Sequence, residues 1–215
     1  IGETQVVEAS DRLVANTDDE AQQLIDLYDA DPERVAVVAP GVDLERFRPG
    51  DRAAARTKLG LPLNGDVVLF VGRIQPLKGA DVAVKSLAAL NRPDAKLLIV
   101  GGASGAEGDA ELANVHSVIQ QHGLENQVRF VEPQQHHILS TYYRAADVVL
   151  VPSRSESFGL VALEAAACGT PVVANAVGGL LTIVEHGRTG FLVADRQPDV
   201  FARHIAQILD DPALA

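Results

Sequence analysis

Two carboxylates and two cations stand at points where this chain passes from strand to loop to helix. Glu156 lies in a Ser-rich loop, SRSESFG, and Glu164 follows it with seven residues between, inside the apolar helical run LVALEAAAC. A charge on an apolar helix is costly unless something pairs with it. Glu156 precedes the helix, so helical facing rules do not relate the two. Both are hydrogen-bond acceptors, and sugar or ribose hydroxyls are their natural partners. Two other readings stay open: an acid/base pair of the kind a glycosidase uses, and a Glu164 that pairs with a core Arg or Lys. The glycine-led start of the helix at Gly159 offers free backbone N–H groups to an anion. Upstream, FVGRIQPLKG (Phe70 to Gly79) sets Arg73 and Lys78 on a loop between a strand and a helix N-terminus. That arrangement suits a phosphate or diphosphate; its plainer alternative is two solvated surface charges.

Other segments carry less. LLIVGGASG (Leu97 to Gly105) places glycines directly after a strand, which lets a backbone approach a ligand or makes a plain turn. It is not a G-x-G-x-x-G fingerprint, and no P-loop or Gly-x-Ser-x-Gly elbow is present. His136 and His137 are adjacent, and His116 and His122 lack the i, i+4 spacing of a helical metal pair. The single Cys168 permits no internal disulfide and reads as a small core residue.

The elements that must position these residues alternate. Continuous Val/Ile/Leu runs at 35–38, 67–71, 97–100, 128–131, 148–151, 172–174 and 191–193 predict strands covered on both faces. Between them, helices are predicted at 18–28, 51–59, 80–90, 110–122, 136–146, 160–168 and 199–209. Residues 11–16 are a further candidate strand, with Thr17 as N-cap of the helix after it. This rhythm implies βαβ units in a doubly wound parallel sheet, with ligands beyond the carboxyl ends of its strands. The chain has 215 residues, 47% hydrophobic and 22% charged, enough for one well-packed domain. A net charge of −11 argues against general nucleic-acid binding. There is no signal peptide and no apolar run long enough to span a bilayer, and the cysteine usage points to the cytoplasm. The chain starts at Ile1 and contains no Met, which suggests a piece of something longer.

Taken in order, VGRIQPLKG, GGASG, YRAADVVLVPS (Tyr143 to Ser153), the Glu156–Glu164 segment before a G-T-P-V strand, and APGVDLERFRP (Ala39 to Pro49) resemble family 4 retaining glycosyltransferases of GT-B architecture. The resemblance is to the C-terminal, donor-binding half. It implies a Rossmann-like sheet and a single nucleotide-sugar-binding domain over residues 1–215. Residues 1–16 would be a hinge or linker from a missing N-terminal domain, and the chain would stop before the family's closing helix. The nearest branch implies transfer of N-acetylglucosamine from UDP-GlcNAc to 1L-myo-inositol 1-phosphate in mycothiol biosynthesis. Sucrose-synthase-type and sucrose-phosphate-synthase-type transferases share much of the signature. A UDP-sugar epimerase of GT-B fold and a non-catalytic nucleotide-binding module are the rivals from other classes.

Carried over by position, the resemblance implies that Arg73 and Lys78 grip the donor diphosphate and that Glu156 binds donor-sugar hydroxyls. The backbone of Phe158, Gly159, Leu160 and Val161 would meet sugar and pyrophosphate, Glu164 would hold the ribose, and the main chain at Gln134 would meet uracil. The nearest branch has Arg-Pro where this chain has Gln134–Gln135, so only a backbone contact would survive there. No cofactor is required for catalysis. A structural Mg²⁺ at Tyr143, Arg144, Ala146 and Thr170 is implied, as are an acceptor bound by the absent domain and a homodimeric parent. The isolated chain is expected to be inactive.

Overall fold

The computed structural model describes residues 2–211. The Val/Ile/Leu runs form one six-stranded sheet. Its strands are β3 (Val67–Val71), β4 (Lys96–Val100), β5 (Val128–Val131), β6 (Val148–Val151), β7 (Val172–Asn175) and β8 (Gly190–Val193). All neighbouring pairs are parallel, in the order β5-β4-β3-β6-β7-β8. The intervening helices are α4 (Ala80–Leu90), α5 (Gly108–His122), α6 (His136–Ala145), α7 (Leu160–Ala167), the short α8 (Leu180–Ile183) and α9 (Pro198–Asp210).

Successive strand residues point to opposite faces. Val68 and Phe70 join Leu97, Ile99 and Leu150 in a core under α4, α5 and α9, with Leu87, Ile119 and Phe201. Val67 and Leu69 join Leu98 and Val149 in a second core under α6 and α7, with Phe47, Tyr143 and Ala165. Two covered faces explain why these strands read as unbroken apolar runs. The chain winds outward from β3 through β4 to β5, then returns to β6 and winds the other way. The crevice between β3 and β6 is therefore the topological switch point, where such sheets bind ligands. The loops leaving those two strands are Gly72–Gly79 and Pro152–Gly159, the two segments singled out for their charges.

One buried ion pair locks the far end of the crevice strands. Helix α3 (Arg52–Leu59) carries Arg56, whose Nη2 donates to Asp147 Oδ2 at 2.5 Å. The same oxygen accepts from the Val67 amide at 2.7 Å. Arg56 also donates to the carbonyls of Ala145, Leu63 and Gly65. The guanidinium thus joins α3, α6 and the starts of β3 and β6.

The N-terminal part departs from expectation. Residues 3–9, read as linker, form α1 (Glu3–Ala9). The candidate strand at 11–16 shortens to β1 (Leu13–Ala15), which pairs in parallel with β2 (Val35–Val37) in a separate two-stranded sheet. Helix α2 (Asp18–Tyr28) lies between them, and Thr17 caps it as expected, accepting from the Glu20 amide at 3.1 Å. Seven residues give too short a window for a helical period, and this hid α1. Ile1 and the last four residues, including the point where the closing helix was expected to be missing, lie outside the described residues.

Candidate functional site

At the mouth of the crevice, Lys78 Nζ lies 2.7 Å from Glu156 Oε2. The Ser153 hydroxyl donates to the same oxygen at 3.2 Å, and Ser153 is itself anchored through its carbonyl by Asn175 Nδ2 at 2.9 Å. Behind Glu156 the backbone is wedged: Gly179 N donates to Glu156 O at 3.0 Å. At Gly178, with φ +48, an added Cβ would lie 2.0 Å from that same oxygen. No side chain fits there, so the GG of AVGG holds the loop by direct backbone contact.

Lys78 and Glu156 line a cavity of ≈ 350 Å³. Its walls include Gly72, Ser157, Phe158, Gly159, Leu160 and Val161, the start of α7. The first amides of a helix have no intrahelical acceptor, so this wall can take an anion. Two further wall residues come from the N-terminal unit: Asn16, just after β1, and Pro40. Neither had been given a role: Asn16 carries no charge and lies in no motif, and Pro40 entered only as part of the APGVDLERFRP signature.

Arg73 faces a second cavity, of ≈ 410 Å³, with Gly101–Ser104, Pro133 and Gln134. The two cavities share Val71 and Gly72 at the end of β3. Arg73 is exposed and makes no ion pair or hydrogen bond among the described residues. Gln134 lines that cavity, and its side-chain amide donates to the Glu132 carbonyl at 2.8 Å.

Glu164 is buried, on the α7 face toward α6. Its Oε2 accepts from Tyr143 OH at 2.7 Å and its Oε1 meets His136 Nε2 at 2.6 Å. The partner is therefore neither a core Arg nor a Lys. Burial, reinforced by the neighbouring carboxylate, pushes the Tyr143 phenol well above its ordinary range, so it stays protonated and donates. His136 is 61% exposed and rests against Phe47 with ring centroids 4.9 Å apart. It caps Oε1, the Glu164 oxygen that Tyr143 does not hold. Adjacent histidines do not share a helix face for a metal, but capping Glu164 takes His136 alone.

The four residues named for Mg²⁺ are close together. Thr170 Oγ1 donates to the Tyr143 carbonyl at 2.7 Å, and α6 ends at Ala145, just before Ala146. The Arg144 side chain turns away, toward the carbonyls of Arg46 and Arg48. Hard main-chain and hydroxyl oxygens at the negative end of a helix suit Mg²⁺ in kind. Among the described residues, no group of three or more His, Cys, Asp or Glu could hold a metal. No helix among them is long and apolar enough to cross a membrane.

A family model described as glycosyl transferases group 1 matches residues 51–215. The chain is 54% identical to D-inositol 3-phosphate glycosyltransferase 2 of Catenulispora acidiphila, over 99% of this chain and 51% of that protein. It is 53% identical to D-inositol 3-phosphate glycosyltransferase of Mycobacterium avium, over 100% of this chain and 50% of that protein. It thus spans about half the length of the curated relatives it matches. Among solved structures it is similar to sucrose-phosphate synthase from Thermosynechococcus elongatus, with TM-score 0.88, 36% identity, and 99% and 52% of the two chains covered. Anabaena HepE in complex with UDP-glucose superposes with TM-score 0.88 at 27% identity, covering 99% of this chain and 60% of that one. The parallel six-stranded sheet is that of GT-B glycosyltransferase structures.

Proposed function

For this chain, which belongs to the group 1 glycosyl transferases, we propose the role of donor-binding half of a retaining hexosyltransferase. The donor is UDP-GlcNAc and the acceptor 1L-myo-inositol 1-phosphate, which is D-inositol 3-phosphate numbered in the opposite sense. The product feeds mycothiol biosynthesis. The observation that carries the reading is the meeting of Lys78 and Glu156 in one cavity against the start of α7. Such a cavity offers a cation and free amides to a diphosphate and a carboxylate to sugar hydroxyls. Relatives named for inositol phosphate transfer support the acceptor, and a neighbour solved with UDP-glucose supports a UDP-sugar donor.

In this reading Arg73 and Lys78 bind the diphosphate from the two sides of β3 and stabilise the charge that develops as it leaves. Glu156 holds hydroxyls of the transferred sugar, the amides of residues 158–161 meet sugar and pyrophosphate, and the main chain at Gln134 meets uracil. Glu164 takes the ribose diol on Oε1 once His136 moves aside. The departing diphosphate accepts the acceptor proton on the same face of the sugar, so no protein base and no cofactor is needed. The acceptor is held by an N-terminal domain in a cytoplasmic, homodimeric parent protein. A structural Mg²⁺ would sit on the oxygens of Tyr143, Arg144, Ala146 and Thr170, competing with the Thr170–Tyr143 hydrogen bond. It would stiffen the end of α6 and take no part in the transfer. A rise in melting temperature with MgCl₂ that Thr170→Val abolishes tests it.

The deciding experiment is calorimetry of this chain with UDP, GDP and ADP. Preference for UDP is expected, and equal affinity for all three refutes the base assignment. In the intact parent, UDP release that depends on the added inositol phosphate separates transferase from epimerase. Turnover by this chain alone would overturn the reading of it as half a site.

A further inference from the structure

We propose that Arg196, in the loop between β8 and α9, is the positioning residue that fixes Lys78 and Glu156 at their working separation. Arg196 has φ +53, the left-handed region that non-glycine residues avoid. That backbone turns its side chain inward, beneath the crevice. There Nε donates to the Pro152 carbonyl at 2.7 Å. Pro152 follows the end of β6 and precedes Ser153, whose hydroxyl reaches Glu156. The other end of the guanidinium lies against the Lys78 loop. A Cβ added at Gly79, which directly follows Lys78 and has φ +78, would lie 2.4 Å from Arg196 Nη2 and 2.6 Å from the Pro152 carbonyl. One planar group therefore touches both loops from behind, while the Lys78–Glu156 pair and the Arg154 amide on the Leu77 carbonyl, at 2.8 Å, join them in front.

The same group holds charge in reserve. Arg196 Nη2 is buried with no hydrogen-bond partner among the described residues, a costly state for a cationic N–H. Burial first, and the nearby Arg154 second, draw its pKa below the usual guanidinium range, while Asp81 and Glu111 oppose them. Asp81 is itself paired with Lys85 at 2.8 Å. A cation left this poorly compensated gains from an anion arriving at the Lys78 loop that it backs. The side chain thus sets the spacing of the two loops and favours diphosphate over an uncharged ligand, without touching either.

The inference rests on the proposed diphosphate site, and two measurements separate the failure of one from the failure of the other. The first needs no ligand. In Arg196→Met, amide hydrogen exchange at 77–79 and 153–156 should rise together by about tenfold or more, with the rest of the chain unchanged. Unchanged exchange in either segment overturns the proposal whatever the chain binds. The second compares UDP with uridine. Arg196→Met should weaken UDP by roughly tenfold and uridine by less than about twofold, with Arg196→Lys in between. In a Lys78→Ala background the same substitution should change UDP affinity by under about threefold, because coupled residues are not additive. Equal losses for UDP and uridine, or an undiminished effect without Lys78, mean that Arg196 is only structural. Arg196→Lys keeps the charge and the volume, so it serves if the Met variant does not fold. A wild-type chain that ignores UDP refutes the donor-site reading alone.

Discussion

Replacing Glu156 with glutamine should tighten the binding of UDP while weakening that of the UDP-sugar. In the free chain the Lys78 ammonium is already engaged, 2.7 Å from Glu156 Oε2, with the two side chains 20% and 19% exposed. A diphosphate has to win that ammonium from the carboxylate. Charge centres about 4 Å apart at an effective dielectric near 20 attract by about 4 kcal/mol. Desolvation and the ordering of a long side chain offset most of this, leaving on the order of 1 kcal/mol. Glu156→Gln keeps the shape and the Ser153 contact but removes the competitor, so UDP should bind about fivefold more tightly. UDP-GlcNAc should move the other way, because its hydroxyls lose a charged acceptor. Calorimetry at about 20 mM and 200 mM salt checks the electrostatic origin: the gain for UDP should shrink at the higher salt. UDP affinity that stays constant or falls in Glu156→Gln refutes the idea that Lys78 is a diphosphate cation held in reserve by this carboxylate.

Three further outcomes follow from the same contacts. His136→Ala should tighten UDP by about two- to fivefold, since a competing hydrogen bond to Glu164 Oε1 is worth roughly 0.5–1 kcal/mol net; weaker binding would mean that His136 touches the ligand itself. Arg56→Met leaves Asp147 buried with the half-exposed Arg52 as its one remaining ion partner among the described residues, and should lower unfolding free energy by about 3–5 kcal/mol in urea; a loss under about 1 kcal/mol would show that the network is dispensable. Burial pushes the Cys168 thiol up to about 11, so at pH 8 the folded chain should react with a thiol reagent at least about a hundredfold more slowly than the unfolded chain. A rate within tenfold of the unfolded chain would contradict the burial.

The parts legible in the sequence are those set by local pattern. The strand at 67–71 and the helices at 18–28 and 80–90 have the predicted bounds, because runs of β-branched residues and helical periods are properties of short windows. The loops after β3 and β6 could be placed at the sheet's carboxyl edge for the same reason. Contacts between distant segments were not legible. Nothing local to Glu164 names His136, 28 residues away, or Tyr143, 21 away, as its partners. Nothing in RAAARTKL announces that Arg56 reaches Asp147, 91 residues on. Arg196 reads as a loop cation until the fold brings Pro152 and Gly79 to it. The strands β1 and β2 fall inside the expected runs at 11–16 and 35–38, but nothing local to either says that they pair with each other in a separate sheet.

The arrangement also bears on how such a site can be both ready and selective. Lys78 is held by Glu156, and Glu164 is covered on one side by His136. Each of these partners is reached by solvent, so each can leave when a better one arrives. Tyr143 on the other oxygen of Glu164 is buried and kept protonated, so it cannot leave without an unpaired carboxylate remaining in the core. In the proposed donor-site reading, binding would be an exchange of partners at the two solvent-reached contacts around a fixed point at the buried one. The exchange makes the gross attraction of ligand for cation a poor guide to affinity, since a comparable attraction is given up. It makes geometry decisive, because only a ligand that replaces both contacts at once recovers both. A diphosphate alone replaces the first and a ribose alone the second, so a nucleoside diphosphate should gain more than the two fragments bound separately.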